Sequence, residues 1–370
     1  MTLADSYDLD LTAPVEQLAA QLIDIPSVSG GEQAIANAVE AALRGQAPHL
    51  SITRDGDALI ARTETGATER VVIAGHLDTV PVKHNVPGRW DDDGATLWGR
   101  GTVDMKAGVA VMLSLAAALV APARDITWVF YDHEEVEATK NGLGRLARRH
   151  AALLEADFAV LCEPTSAAIE GGCNGTLRAE VTVHGTAAHS ARAWKGLNAI
   201  HGLAPLLAAL ADYQPATVNV DGLDYREGLN AVGVRGGIAG NVIPDAATLT
   251  INYRFAPDKT VAQAKAHVED VVAHAGLGEH ELAWTDQAAG CRPGLDAPLA
   301  VSFADAVAAA GGGSPRAKVG WTDVARFGEL GIPAVNYGPG DPELAHADDE
   351  RCAVSEIQAC RAGLESWLTA

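Results

Sequence analysis

The chain has 370 residues, of which 27 are Lys or Arg and 48 are Asp or Glu, so its formal net charge is −21 at pH 7. Nucleic acids and anionic membranes require a positive surface, so this balance argues against both as partners. The five cysteines form no CxxC pair, which excludes a thiolate zinc site of that kind and argues against a disulfide framework. The acidic amino terminus lacks the basic flank and apolar core of a signal peptide, so we expect a soluble cytoplasmic protein.

In the first half of the chain, strands alternate with helices. Periodicity predicts a helix over 14–25 and a second helix over 29–43, the latter opened by a capping box of Ser29 and Glu32. The elements that follow are a hairpin over 51–63, a buried strand over 69–74, a helix over 107–120, and strands over 125–131 and 157–161. This alternation is typical of an α/β fold with a mostly parallel sheet covered by helices on both faces.

The pattern changes near residue 178. The next elements are a strand over 177–185, a helix over 198–212, strands over 229–238 and 247–255, a helix over 261–275 and a strand over 281–285. Their order, β-α-β-β-α-β, indicates a ferredoxin-like α+β domain inserted into the α/β domain. After it come a helix over 299–309, a strand over 332–337 and a helix over 355–368. We therefore predict a catalytic domain formed by 1–178 and 290–370, with the insert at 179–289.

The stretch GHLDTVP follows the buried strand over 69–74 and carries His76 and Asp78. The two residues are two positions apart, so in an extended chain their side chains point the same way. An imidazole beside a carboxylate is a common arrangement for binding a divalent metal, but a strand end with these residues can equally be structural. A metal site therefore requires further ligands elsewhere in the chain.

Further ligand candidates occur where strands of the predicted sheet end, at the edge where function collects in open α/β sheets. The candidates are His76, Asp104, Glu135, Glu163 and His346. Each alone has an ordinary explanation, such as a helix cap for Asp104, but their coincidence indicates a metal centre. Two imidazoles and three carboxylates suit a pair of Zn²⁺ ions better than Mg²⁺, with Asp104 bridging them. Glu134, beside a ligand, is then placed to act as a general base.

Five motifs in this order resemble those of the co-catalytic zinc hydrolases of the M20 aminoacylase and carboxypeptidase family: GHLDTVP, GRGTVDMKAG, DHEEVEA, CEPT and AHADDE. The resemblance implies two Zn²⁺ per subunit, for which Co²⁺ can substitute. It places one metal at His76, Asp104 and Glu163, and the other at Asp104, Glu135 and His346. It also implies that Asp78 orients His76, that Glu134 is the general base, and that the Asp104–Met105 peptide bond is cis.

The same resemblance assigns the insert as a lid and dimerisation domain. The stretch HGTAAHSARAWKGLNAI matches this domain. In relatives that form homodimers, a histidine of this domain reaches into the partner subunit's active site and stabilises the oxyanion. The resemblance places that histidine at His189. Candidates for contacting the carboxylates of a small-molecule substrate are Asn241, Arg254, Thr322 and Gly338, with Arg178 or Arg192 also possible.

Within the family, the resemblance favours hydrolysis of N-succinyl-L,L-2,6-diaminopimelate to succinate and L,L-diaminopimelate. Deacetylation of acetylornithine and general aminoacylase or dipeptidase activity stay open as alternatives, because relatives with these activities keep the same ligands. A non-catalytic binding protein on the same scaffold is a further alternative. Loss of Glu134 or Asp104 would be its sign, and both residues are present.

Overall fold

The computed structural model describes residues 7–370, and residues 1–6 of the acidic amino terminus lie outside the described residues. The chain divides into two compact units. The first contains residues 7–171, 293–316 and 326–370, and the second contains 172–292 and 317–325. Across residues 7–370, no helix combines the length and the apolar character that crossing a bilayer requires.

Strands and helices alternate along much of the first unit, and the elements of both units are numbered together in chain order. The strands are β1 Ser51–Asp55, β2 Ala58–Arg62, β3 Arg70–His76, β4 Arg89–Trp90, β5 Thr96–Trp98, β6 Asp125–Tyr131, β7 Phe158–Leu161, β8 Glu170–Gly171, β9 Gly175–His184, β10 Ala188–His189, β11 Thr217–Val220, β12 Leu223–Arg226, β13 Gly228–Gly236, β14 Val242–Ile243, β15 Ala246–Phe255, β16 His280–Ala288, β17 Arg316–Ala317, β18 Ala334–Asn336 and β19 Arg351–Ala353. The α-helices are α1 Val15–Ile23, α2 Gln33–Gln46, α3 Lys106–Ala118, α4 Gly142–Arg149, α5 Ala151–Leu154, α6 Ala199–Gly202, α7 Ala204–Ala211, α8 Val261–His274, α9 Pro298–Ala309, α10 Val324–Glu329 and α11 Val354–Thr369. Among residues 7–370, two 3₁₀ helices cover Ser190–Lys195 and Pro342–Leu344.

The main sheet of the first unit has eight strands in the order β1-β2-β6-β3-β7-β18-β8-β17. The four central strands, β6, β3, β7 and β18, are parallel to one another, whereas β1, β2 and β8 pair antiparallel. The α/β class predicted from the sequence is therefore confirmed. Because the central strands are parallel, the residues that follow β3, β6, β7 and β18 emerge at one edge of the sheet.

Helix α3 is the central helix of the first unit. Its residues from Lys106 to Ala116 are all buried, because the helix is apolar around its whole circumference and packs against α1, α2, α11 and strand β3. Next to it, the rings of Phe158, Phe303 and Trp367 form an aromatic cluster with centroid distances of 4.8 to 6.2 Å. This core holds the carboxyl ends of the strands in fixed positions.

The second unit is built on an antiparallel sheet in the order β13-β15-β9-β16. Residues of β15 alternate between buried and less buried positions, as expected for a sheet with one face against helices. The predicted β-α-β-β-α-β order is present, with two additional pairs of short strands, the hairpin β11–β12 before β13 and the pair β10–β14. The predicted helix over 198–212 is split after Gly202, where Pro205 in the first turn of α7 has no N–H to continue the helix.

The capping box predicted for the second helix is wrong. Helix α2 begins at Gln33, and Glu32 at its N-cap makes no side-chain capping bond. The Ser29 hydroxyl instead donates to Asp78 Oδ2 at 2.6 Å, and Glu32 Oε1 accepts from the His133 backbone N–H at 3.2 Å. Both side chains bind segments distant in sequence, which no local pattern reveals.

Candidate metal centre

His76 is the last residue of β3 and is buried, with 1% of its surface exposed. Its Nδ1 lies 3.0 Å from the backbone oxygen of Asp78, which makes Nδ1 the protonated nitrogen, since a carbonyl oxygen can only accept. Its Nε2 lies 3.0 Å from Asp104 Oδ1. The strand and the backbone contact together aim one ligating nitrogen at Asp104.

Asp104 lies at the centre of the cluster. Two groups of ligand atoms share it, each with its atoms within 4.8 Å of one another: His76, Asp104 and Glu163, and Asp104, Glu135 and His346. Asp104 Oδ1 faces His76, whereas Oδ2 lies 3.3 Å from His346 Nε2, which is also 3.0 Å from Glu135 Oε1. All five predicted ligands are thus brought together by the first unit, with one carboxylate oriented to bridge two positions.

The close approach of Glu163 to the cluster depends on a glycine. A side chain at Gly108, in the first turn of α3, would collide with the backbone oxygen of Cys162. Glycine therefore lets the helix that follows Asp104 pack directly against the segment that leads from β7 to Glu163. The peptide bond between Asp104 and Met105 is cis, as the sequence resemblance implies.

The donor set fits a divalent cation. His76 Nε2 lies 3.0 Å from Asp104 Oδ1, so a proton is shared between a ring nitrogen and a carboxylate oxygen at the position where a metal ion would bind both. Hydrogen bonds with Asp104 and Glu135 raise the pKa of His346 to about 10. Burial acts to raise the pKa of the Asp104 carboxyl, but the bonds from His346 and His76 outweigh it and hold the pKa well below its usual value. The cluster attracts positive charge, which a metal would supply by displacing protons.

Glu134 lies beside the ligands, in a third group of mutually close atoms with His76 and Glu135. The Asp78 carboxylate holds this segment, because its Oδ1 accepts from the Glu134 N–H and its Oδ2 from the Glu135 N–H, both at 3.0 Å. Burial acts to raise the pKa of the Asp78 carboxyl, but the hydrogen bond and charge of His76, the Ser29 hydroxyl and the Glu134 N–H outweigh it and lower the pKa to about 2. Asp78 thus contacts His76 both through its backbone oxygen and through its carboxylate, whose Oδ1 lies 3.5 Å from Nδ1, and the same carboxylate holds the Glu134–Glu135 segment.

The remaining predicted site residues are distributed over the two units. Gly338 belongs to the first, where its N–H donates to Thr165 Oγ1 at 3.0 Å, two residues after Glu163. His189 and Asn241 belong to the second and lie close together, since His189 pairs with Val242 and the Ser190 N–H donates to the Asn241 oxygen at 2.9 Å.

The other two substrate candidates also lie in the second unit. Arg254 is in β15, paired with Thr176 of β9, and so shares a face of the sheet with Arg178, two positions further along β9. Burial and the nearby Arg178 charge lower the pKa of Arg254. Thr322 is buried, and its backbone oxygen lies 3.7 Å from Cys173 Sγ.

Two residues of the centre were missed by sequence reasoning. Ser29, interpreted as a helix cap, is the hydroxyl donor to Asp78. Glu350, the last residue of the AHADDE motif, binds the loop that carries Asp104. Two sequence features could have indicated this contact. The motif GRGTVDMKAG contains an arginine, Arg100, and the motif AHADDE ends in an acid without an assigned role, Glu350.

Residues 72–370 match the model of peptidase family M20/M25/M40, so the match covers every residue of the centre except Ser29. The chain belongs to peptidase family M20/M25/M40. It is accordingly a metal-dependent hydrolase, and the resemblance of its motifs to those of the M20 family is confirmed.

Relatives within the M20/M25/M40 family match over the full length. The chain is 56% identical to a Mycobacterium tuberculosis protein provisionally named succinyl-diaminopimelate desuccinylase DapE, over 97% of this chain and 99% of that one. It is 45% identical to the succinyl-diaminopimelate desuccinylase of Corynebacterium glutamicum, over 98% of both chains. Among solved structures, a tripeptidase from Staphylococcus aureus superposes with a TM-score of 0.81 at 21% identity over 98% of both chains, which shows the shared fold.

Proposed function

We propose that this protein hydrolyses the succinyl amide of N-succinyl-L,L-2,6-diaminopimelate, giving succinate and L,L-diaminopimelate in lysine and diaminopimelate biosynthesis. The observation that carries the proposal is the pair of ligand groups sharing Asp104, with Glu134 beside them. Identities of 56% and 45% to relatives with this activity in their names, over nearly the whole chain, support the choice of substrate.

The residues that would hold the metal are His76, Asp104 and Glu163 for one ion, and Asp104, Glu135 and His346 for the other. Their mixed nitrogen and oxygen donors suit two Zn²⁺ ions, for which Co²⁺ can substitute. Such ions polarise a carbonyl group and lower the pKa of a coordinated water.

Glu134 moves the proton in the proposed reaction. Its carboxylate takes a proton from the water that attacks the amide carbon, and then delivers it to the leaving amine nitrogen. Asp78 fixes the backbone on which Glu134 lies, and the Ser29 hydroxyl fixes Asp78. His133, the residue before Glu134, has a positive φ of 57°, a conformation that costs energy for a non-glycine residue and persists only where neighbours enforce it.

The second unit is proposed to recognise the substrate. A substrate with several carboxylates needs cationic or hydrogen-bonding anchors, and the chain as a whole is strongly acidic. Arg254 and Arg178, two like charges on one face of the sheet, support an anionic ligand there. Asn241, Thr322 and, from the first unit, Gly338 are the proposed hydrogen-bonding contacts.

We also propose that the protein is a homodimer formed through the second unit, and that His189 of one copy stabilises the oxyanion in the other. His189 is exposed, and its Nδ1 accepts a hydrogen bond from the Ala191 N–H at 3.0 Å, which leaves Nε2 as the donor. Trp194 in the same segment is 79% exposed, and so large an exposed apolar side chain supports a surface that a second copy of the chain covers.

A substrate panel tests the proposal. The values of kcat/KM are compared for N-succinyl-L,L-diaminopimelate, N-acetylornithine, an N-acetyl amino acid and a dipeptide. We expect the succinyl compound to be preferred by at least about 10²-fold, because unmatched buried polar groups discriminate strongly against the wrong acyl group. Preference for another member of the panel would reject the substrate while leaving the metal-dependent hydrolase in place.

A further inference from the structure

Glu350 is a buried carboxylate that binds the loop carrying Asp104. Only 1% of its surface is exposed. Its Oε1 accepts hydrogen bonds from the backbone N–H groups of Gly101 and Val103, both at 2.9 Å, and of Asp104 itself at 3.1 Å. One oxygen atom therefore organises the main chain up to the residue that bridges the two ligand groups.

The other oxygen of Glu350 is also occupied. Its Oε2 accepts from Arg100 Nη1 at 2.7 Å, and the same guanidinium nitrogen donates to the backbone oxygen of Ala347 at 3.2 Å. The Glu350 backbone oxygen accepts from the Gly99 N–H at 3.0 Å. The loop over 99–104 and the segment over 347–350 are thus joined by side-chain and main-chain bonds, in all of which the loop donates and the segment accepts.

These contacts link two of the ligands in the second group. His346 comes one residue before Ala347, has a positive φ of 65°, and keeps 51% of its side chain exposed. Packing alone therefore does not fix His346, whereas its chain connection to the joined segment does. Gly101 has a φ of +87°, so the loop adopts a conformation that lets its N–H groups converge on one carboxylate.

A buried ion pair alone is weak evidence for more than structure, because desolvation offsets its attraction. The Glu350 contacts differ in where they act, since all four donors to its carboxylate belong to the loop over 99–104, and three of them are backbone N–H groups. We infer that Glu350 is a positioning residue, which sets Asp104 and His346 at the separation that metal binding requires. This inference rests on the metal centre of the proposed function and extends it to a residue outside the ligand set.

Two variants of Glu350 and one control test the inference. Glu350→Gln keeps the volume, but its amide nitrogen must face either the loop N–H groups or Arg100, all of which are donors. Glu350→Asp keeps the charge but is one methylene shorter. The matched control is Asp125→Asn, because Asp125 is also buried, accepts the Thr65 and Gly66 N–H groups at 2.8 and 3.2 Å, and pairs with Arg70 at 3.3 Å.

Asp125 begins β6, and the centre lies beyond the other end of that strand, roughly 20 Å away at about 3.3 Å per residue. Metal-loaded proteins are incubated with increasing chelator, and the retained Zn²⁺ is measured. We expect Glu350→Gln to lose its metal at about 10–100-fold lower chelator than the wild type, and Glu350→Asp to change in the same direction. Asp125→Asn should retain metal like the wild type although it unfolds at a lower temperature.

Wild-type metal retention in both Glu350 variants, or an equal loss in Asp125→Asn, would overturn the positioning role and leave only a structural one. If one Glu350 variant does not fold, the other decides. The assay uses no substrate, so it stays decisive even if the wild-type protein fails to hydrolyse the succinyl compound, an outcome that would reject the proposed function alone.

Discussion

At the scale of single residues, the proposed chemistry depends most on Glu134. Glu134→Gln keeps the size of the side chain but removes its capacity to accept a proton. We expect kcat to fall by about 10²–10⁴-fold, the usual contribution of a general base, while bound Zn²⁺ is unchanged because Glu134 is not in the proposed ligand set. Steady-state kinetics and metal analysis of the same sample measure both quantities.

The control for this variant is Glu137→Gln in the same loop. The Glu137 side chain is 69% exposed, and among residues 7–370 its only ion pair is with Lys140, at 2.8 Å. Removing its charge should therefore leave kcat unchanged. Substantial turnover by Glu134→Gln, or an equal loss in Glu137→Gln, would remove Glu134 from its role.

The buried carboxylate of Asp125 should make the free energy of unfolding depend on pH. Burial acts to raise the pKa of its carboxyl, but bonds from Thr65 and Thr63 and the charge of Arg70 lower it below the ordinary value of 3.8. A lowered pKa in the folded state contributes stability at neutral pH that is lost as pH falls below about 3.8. Asp125→Asn should therefore lower the free energy of unfolding by about 1–3 kcal/mol at neutral pH.

The difference between wild type and Asp125→Asn should narrow near pH 3, because the wild-type carboxyl is then becoming protonated. Denaturant unfolding at the two pH values measures it. A difference that stays constant or widens in acid would show that the charge of Asp125 does not stabilise the fold.

At the scale of elements, the turn after β6 is attached to the end of β3 through Asp78. Asp78→Asn replaces one accepting oxygen with a donor that faces the N–H of Glu134 or Glu135, so one of the two backbone bonds is lost. We expect activity or metal affinity to fall about 10–100-fold. Ser29→Ala, which removes only the hydroxyl that supports Asp78, should have a smaller effect in the same direction. A larger loss of activity or metal affinity in Ser29→Ala than in Asp78→Asn would contradict the proposal that Ser29 acts by supporting Asp78.

Elements of the sheet could be predicted because each carries a local pattern. The apolar runs of β3, β6 and β7 fix strand identity, and a parallel sheet collects the residues that follow them at one edge. The sequence alone therefore predicts that His76, Glu135 and Glu163 lie close together. The hairpin β11–β12 and the split between α6 and α7 were missed, since short strands and a single proline leave weak local signals.

Long-range contacts of the centre could not be predicted in the same way. Ser29 has the spacing of a helix cap, yet it binds Asp78, 49 residues away. Glu350 binds Asp104, 246 residues away, and the residues next to it in sequence do not identify Asp104 as its partner. Such partners are chosen by tertiary packing, which overrides local propensity wherever a buried carboxylate must find donors.

At the scale of the whole molecule, we predict a homodimer formed through the second unit. Strand β13 is an edge of the four-stranded sheet and exposes Val232 and Val234, at 57% and 63%, a surface that a partner would cover. Val234→Asp should convert the dimer to a monomer that keeps its metal and loses activity, as measured by light scattering and kinetics.

Val120→Asp is the matched control, because Val120 is 61% exposed but belongs to the first unit. It should stay dimeric and active. A monomeric wild-type protein with full activity would contradict both the dimer and the proposed role of His189 across it.

The most direct test of the central claim is succinate release from N-succinyl-L,L-diaminopimelate by the purified protein, before chelation, after chelation and after Zn²⁺ is added back. The account predicts release that stops when metal is removed and returns with Zn²⁺, because the clustered ligands exist to hold it. Release that continues after complete metal removal, or no release in any of the three conditions, would contradict it.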